Sequence, residues 1–129
     1  MHTFPVTVYY EDTDLGGIVY HANYLKFIER ARSAWVRRLG VDQNALRSRG
    51  IVFAVHRIEA DFLSPAQLDD ALTVTTRPVA QSPARLTLDQ QVFRGETPLF
   101  RARVTLVCIT TGGKPRRLPP ELLVLSGNA

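Results

Sequence analysis

The first alternation of hydrophobic and polar positions is TFPVTVYY, with Val6, Val8 and Tyr10 on one face and Thr7 and Tyr9 on the other. That is the period of a half-buried strand ending near Tyr10. From about His21 the period lengthens: Tyr24, Phe27, Ile28, Ala31, Ala34, Trp35 and Leu39 recur at helical spacing, and Gly40 stands where a helix C-cap belongs. The stripe is broad and aromatic, which predicts a largely enclosed helix. Asp42 is a good N-cap for a second, short helix reaching Arg49. After Gly50 the period of two returns. In IVFAVHRIEADFL the apolar phase flips near His56 and Arg57, as a bulge in one long strand or a change of covering layer would make it do. LTVTTRPV, ARLTLDQQVFR and LFRARVTLVCIT follow, the last two joined by GETP, a hairpin turn. One long helix must then bury its stripe against an antiparallel sheet of about five strands, an α+β fold with the helix wrapped by the sheet.

No repeat, low-complexity tract or linker interrupts the pattern, so residues 1–129 are expected to form one domain. A hydrophobic content of 45% is enough for a sizeable core. The single cysteine, Cys108, lies within VTLVCIT; it excludes a disulfide inside the chain and is expected to be a core thiol in a reducing compartment. MHTFPVTVYY has no basic segment followed by a long apolar one, and nowhere do eighteen apolar residues run together, so a soluble, cytoplasmic protein is expected. The net charge of +4 raises the question of nucleic acid. Arg30, Arg32, Arg37 and Arg38 are interspersed with core positions of one helix, and only KPRR clusters, with no aromatic residues between its charges. This argues against nucleic acid; dispersed charge more often marks a solvated face, and it also suits a small phosphate-bearing ligand, because arginine forks bind phosphate oxygens bidentately, a choice the charge alone does not make.

The chemistry concentrates in EDTDLGGIVYHANYLKFIERAR, Glu11 to Arg32. Strand one ends before it and the long helix begins within it, near His21 to Asn23. Free backbone amides and the positive end of the helix dipole make such a start an anion or oxyanion site. Gly16 and Gly17 allow positive φ and close backbone approach, so Asp14 can be held by a tight turn beside that site. An isolated Asp before a glycine pair ordinarily caps the turn. A lone His21 would more often be capping or structural. Glu11 and Asp12 are read as solvated or capping residues, Tyr20 and Tyr24 as pocket wall or core, and Trp35 as core.

The same run, with RIEADFLSPAQLDDALTV and GKPRRLPPEL, resembles the signature of hotdog-fold acyl-CoA thioesterases of the 4-hydroxybenzoyl-CoA thioesterase type, most of all the Tol-Pal-associated acyl-CoA thioesterases of bacteria. The resemblance covers nearly the whole chain; Phe62 departs from it, standing where relatives often have tyrosine. It implies a long central helix wrapped by an antiparallel sheet of five to six strands, joined edge to edge with a second copy into a homodimer that can double into a homotetramer. It places the family's catalytic carboxylate on Asp14 and the histidine of its Val-Tyr-His run on His21. Gly17, Tyr20 and Ala22 then belong to the substrate site, with the amides near His21 and Ala22 polarising the thioester carbonyl. No metal and no separate cofactor are implied, since the substrate brings coenzyme A. Acyl carrier protein as an alternative carrier, and peripheral association with the Tol-Pal system, come with the same resemblance.

The bare residues suit that chemistry: a thioester needs a carboxylate that activates water or attacks the carbonyl, and donors where the oxyanion develops. For the phosphates, Ser82 and Arg85 in QSPARLT follow a turn from which a side chain can reach a partner's cleft; Lys114, Arg116 and Arg117 are the other candidates. A solvated strand end describes Arg85 equally well. Two other function classes stay open here. A hydratase or dehydratase of acyl thioesters would need an acid–base pair over the second and third acyl carbons, and a non-catalytic acyl-CoA binder would release no thiol.

Overall fold

The aromatic stripe is buried as its spacing predicts. In the computed structural model, which describes residues 1–123, helix α1 spans Asn23–Arg38 and buries Tyr24, Phe27, Ile28, Ala31 and Trp35, together with Arg32 and Val36. Ala34 and Leu39, the remaining stripe positions, are half-buried. The helix stops where Gly40 takes φ +89, with Gly40 N–H donating to Arg37 O at 3.0 Å and Val41 N–H to Val36 O at 3.3 Å. Helix α2, Gln43–Ser48, is capped by Asp42, whose Oδ1 accepts from the amides of Asn44 and Ala45.

Around α1 wraps one antiparallel sheet of five strands: β1 His2–Thr7, β2 Ile51–Phe62, β3 Ala71–Gln81, β4 Arg85–Arg94 and β5 Thr97–Thr110, in the order β1-β3-β4-β5-β2. The β4–β5 turn is Gly95-Glu96, with Gly95 at φ +61. The predicted bulge in β2 is present, the register against β5 slipping between Val55 and Arg57. A second slip, between Pro78 and Ala80 of β3, has no counterpart in the sequence reading. Pro78 is tolerated because β1 pairs with β3 only as far as His2 against Thr76, so the proline nitrogen interrupts no β1 ladder.

Three local features are not what the pattern alone would give. β1 stops at Thr7 and the chain turns into a 3-10 helix at Tyr10–Asp12, so Tyr10, predicted to face the core with Val6 and Val8, is 83% exposed. Asp12 caps, as one of its two readings had it, but it is buried and not solvated: its Oδ2 accepts from the Tyr9 amide at 2.9 Å. β2 is covered only over its first half. Ile51 is buried and Phe53 half-buried, while Val55 and Phe62 are exposed; β2 is a sheet edge with no element beyond it among the described residues.

The core also holds a polar network. Arg32 donates to Gln90 Oε1 at 3.0 Å, and Gln90 Nε2 donates to Ile28 O and Thr76 Oγ1, both at 2.9 Å. Cys108 is a buried free thiol, its pKa raised by burial against the opposing pull of Arg116. Among the described residues no helix is long and apolar enough to cross a membrane.

Candidate active site

The segment between β1 and α1 is a small folded unit. Thr13 bridges Val19 in antiparallel fashion, Asp14 N–H donates to Ile18 O at 2.9 Å, and Gly17 N–H donates to Asp14 O at 3.0 Å. At its tip Asp14 Oδ1 accepts from the Gly16 amide at 2.8 Å, which is the turn-capping role expected of an isolated Asp. Geometry favours glycine at both positions. A Cβ at residue 16 would lie 3.2 Å from Asp14 Oδ1, and Gly17 sits at φ +79. The cap spends one carboxylate oxygen and fixes the plane of the group; Oδ2 has no hydrogen-bond or ion-pair partner among the described residues, and Asp14 is exposed.

The tip is tied to the rest of the molecule through Ile18, which bridges Gln67, and through Val19 N–H donating to Ala66 O at 2.9 Å. Its return strand is tied to Asp12, whose carbonyl accepts from Tyr20 N–H and Asn23 Nδ2, both at 2.9 Å. These bonds bring the chain to the head of α1. Asn23 N–H donates to Tyr20 O, Tyr24 N–H to His21 O and Leu25 N–H to Ala22 O, whereas the amides of His21 and Ala22 donate to no acceptor among the described residues. Two free donors therefore stand at the helix start, one at each predicted residue.

His21 lines a cleft of about 310 Å³, with Ile18, Val19, Tyr24 and the 62–65 segment as its other walls. Tyr20 lies against the imidazole, ring centroids 4.5 Å apart, and Phe62 meets it edge-on at 6.2 Å. Behind them Tyr24 stacks on Phe100 at 4.9 Å, and its hydroxyl oxygen accepts from the Ala66 amide at 3.0 Å. Burial raises the Tyr24 pKa, chiefly over the opposing effects of the Ala66 bond and Arg94, so this phenol stays protonated and serves as wall and support. The outer wall is braced by Asp70, which accepts from Gln67 N–H at 2.8 Å and Arg94 Nη1 at 2.9 Å; Arg94 also donates to Pro65 O at 3.3 Å. Burial alone would raise the Asp70 pKa, but the Gln67 and Arg94 bonds outweigh it and hold the carboxyl below its ordinary value.

The predicted residues fall into two groups. Asp14, Gly17, Tyr20, His21 and Ala22 share one folded segment, although no hydrogen bond joins Asp14 to His21 and Asp14 is not on the cleft wall. Ser82 and Arg85 are at the other end of the sheet, the full length of β4 away, about 30 Å. Ser82 Oγ is engaged as the turn cap, accepting from Arg85 N–H at 3.2 Å. Lys114, Arg116 and Arg117 come to the same end: Arg116 N–H donates to Cys108 O, and Leu118 N–H to Pro83 O. The two candidate phosphate clusters thus form one basic surface, remote from the cleft of the same chain. The cleft walls Leu63, Ser64 and Pro65 escaped the sequence reading, because they follow β2 and carry no periodic signal; Phe62 was noticed only as a departure from a family pattern.

The sequence profile of the thioesterase-like superfamily matches residues 8–124. The chain is 40% identical over 122 residues to an acyl-CoA thioesterase YbgC of Haemophilus influenzae, covering 93% of this chain and 90% of the relative. It is 38% identical over 122 residues to the acyl-CoA thioester hydrolase YbgC of Escherichia coli O157:H7, covering 93% and 91%. A crystal structure of a probable thioesterase from Bartonella henselae superposes with a TM-score of 0.88 at 42% identity, over 92% of this chain and 98% of that one. The helix wrapped by five antiparallel strands is the hotdog architecture of these proteins.

Proposed function

Because the chain belongs to the thioesterase-like superfamily, we propose that it hydrolyses acyl-CoA thioesters to a free carboxylic acid and coenzyme A, with Asp14 as the reacting carboxylate. The observation that carries the assignment of the site is the pair of unengaged amides at His21 and Ala22, at the head of α1 and beside an apolar cleft. A thioester carbonyl oxygen taking those two donors gains stabilisation as it becomes an oxyanion. Asp14 has one oxygen locked by Gly16 and the other unengaged, so it can accept a proton from water or attack the carbonyl carbon itself. The electrons of the broken C–S bond leave with sulfur, and the thiolate takes a proton to give free coenzyme A. His21 is assigned to orient the water or the carbonyl, Tyr20 and Gly17 to shape the approach.

The working unit in this reading is a homodimer. The outer edge of β2 pairs with nothing among the described residues, and such edges are normally covered or paired. A two-fold axis through the middle of β2 turns the second copy end for end. Its Ser82, Arg85, Lys114, Arg116 and Arg117 surface then lies at the end where the first copy has its His21 cleft, which removes the obstacle of the 30 Å separation within one chain. Coenzyme A phosphates would be held by the partner while the acyl group enters the cleft. Acyl carrier protein as a second carrier and association with the Tol-Pal system rest on the resemblance, and a cytoplasmic location on the lone cysteine being a buried free thiol. Two readings test the proposal: thiol release over a panel of aliphatic and aromatic acyl-CoAs, and sedimentation at micromolar concentration. Release above the spontaneous rate from a species of at least two chains is expected; a monomer near 14.4 kDa would remove the shared site.

A further inference from the structure

Arg32 is a buried charge with no bonded counter-charge among the described residues. It is 9% exposed, its single bond goes to the neutral Gln90, and the ion pairs among the described residues, Arg57–Glu59, Arg77–Asp89, Arg94–Asp70 and Arg101–Asp61, leave it out. Burial pushes its pKa down, and the exposed Glu29, one turn back on α1, works against that without making a bond. A guanidinium has five N–H donors, and one is spent. The rest of the group borders an open cavity of about 280 Å³ that Glu29, Arg32, Ser33, Phe53 and Val55 help to line. Phe53 and Val55 belong to β2, the strand whose outer edge is unpaired, and Val55 is 47% exposed. The cavity therefore faces the edge on which a second copy would dock.

We propose that this cavity is closed by a second copy of the chain, and that Arg32 of each copy pairs there with Glu29 of the other. The proposal rests on the homodimer reading above and names the charges that fix its register. Two facts meet in it. In a two-fold interface, if residue i of one copy meets residue j of the other, then j also meets i, so an acid and a base three positions apart on one helix flank satisfy each other twice. The axis required for that contact passes α1 between residues 29 and 32, and the cavity places this level of α1 beside Val55, next to the β2 midpoint. One axis thus serves both the strand edge and the charges. Buried charges left unpaired are costly, and like charges brought together at such a point oppose association.

The test is association measured by sedimentation with Glu29→Arg and Arg32→Glu, separately and mixed. Each variant alone puts like charges together twice, and its dimer dissociation constant should rise about tenfold or more. The one-to-one mixture should restore association, because the heterodimer re-forms both acid–base pairs. An Arg32–Glu29 bond within one chain would give no such rescue. Unchanged association of the single variants, or a mixture as weak as they are, overturns the inference while leaving a wild-type dimer in place; a monomeric wild type overturns the dimer reading with it. If Arg32→Glu does not fold, mixed Glu29→Cys and Arg32→Cys chains should oxidise to a covalent dimer, and absence of that product counts against the pair.

Discussion

Replacing Asp14 with asparagine separates the two tasks of this side chain. Its Oδ1 accepts from the Gly16 amide at 2.8 Å, and the amide oxygen of Asn can accept the same bond in the same turn. The residue is exposed, so the isosteric change should leave stability within about 0.5 kcal/mol of wild type. What disappears is the charge on Oδ2, the atom with no partner. Loss of a positioned base typically costs about 10²–10⁴ in rate, or roughly 3–5 kcal/mol of barrier. Asp14→Ala makes the contrast: it should be similarly inactive and also lose about 1 kcal/mol of stability with the turn cap. The assay is thiol release under saturating acyl-CoA, alongside thermal unfolding. Asn activity within about threefold of wild type, under about 1 kcal/mol of barrier, would refute the assignment. So would an Asn variant that fails to fold, since the turn would then depend on the charge.

His21→Ala should lower turnover by about tenfold or more while acyl-CoA still binds; equal losses in binding and rate would make it a substrate-holding or structural residue. Arg85→Ala should raise KM more than it lowers kcat, because contacts to phosphates remote from the carbonyl act in ground and transition states alike; unchanged KM here and in Lys114, Arg116 and Arg117 alanine variants would move the phosphate site elsewhere. Asp70 bears on pH. Its native carboxyl lies below its unfolded value, so the Arg94 pair stabilises the fold above the ordinary carboxylate range and the contribution is lost as pH falls through the depressed native value. Asp70→Asn should therefore be less stable than wild type near neutrality, by roughly 1 kcal/mol for a partly exposed pair, and the two urea midpoints should converge in acid; a constant gap would contradict the linkage.

Periodicity made the helix and the sheet legible because their burial is one-sided: Tyr24, Phe27, Ile28, Ala31 and Trp35 can be read from spacing alone. The bulge at His56 was legible for the same reason, a phase flip in one strand. Tyr10 misled because the alternation of Val6 and Val8 runs on into a turn that Asp12 closes, and capping by a buried acid leaves no periodic trace. β2 departs in the same direction. Its apolar pattern is that of a covered strand, yet Val55 and Phe62 are exposed in one chain. At the site, Asp14, the glycine pair and His21 stood out as residue types, whereas the walls at Leu63, Ser64 and Pro65 depend on where β2 ends against α1. Arg32 looked like one more surface arginine; only packing shows that it is buried on Gln90.

The most direct test of the central claim is to follow one acyl-CoA by mass spectrometry with the wild-type protein and identify both products. Hydrolysis predicts free carboxylic acid and free coenzyme A in a one-to-one ratio over many turnovers, with one water oxygen in the acid. Acyl-CoA recovered intact, or a product that has gained or lost water with its thioester unbroken, would contradict the account.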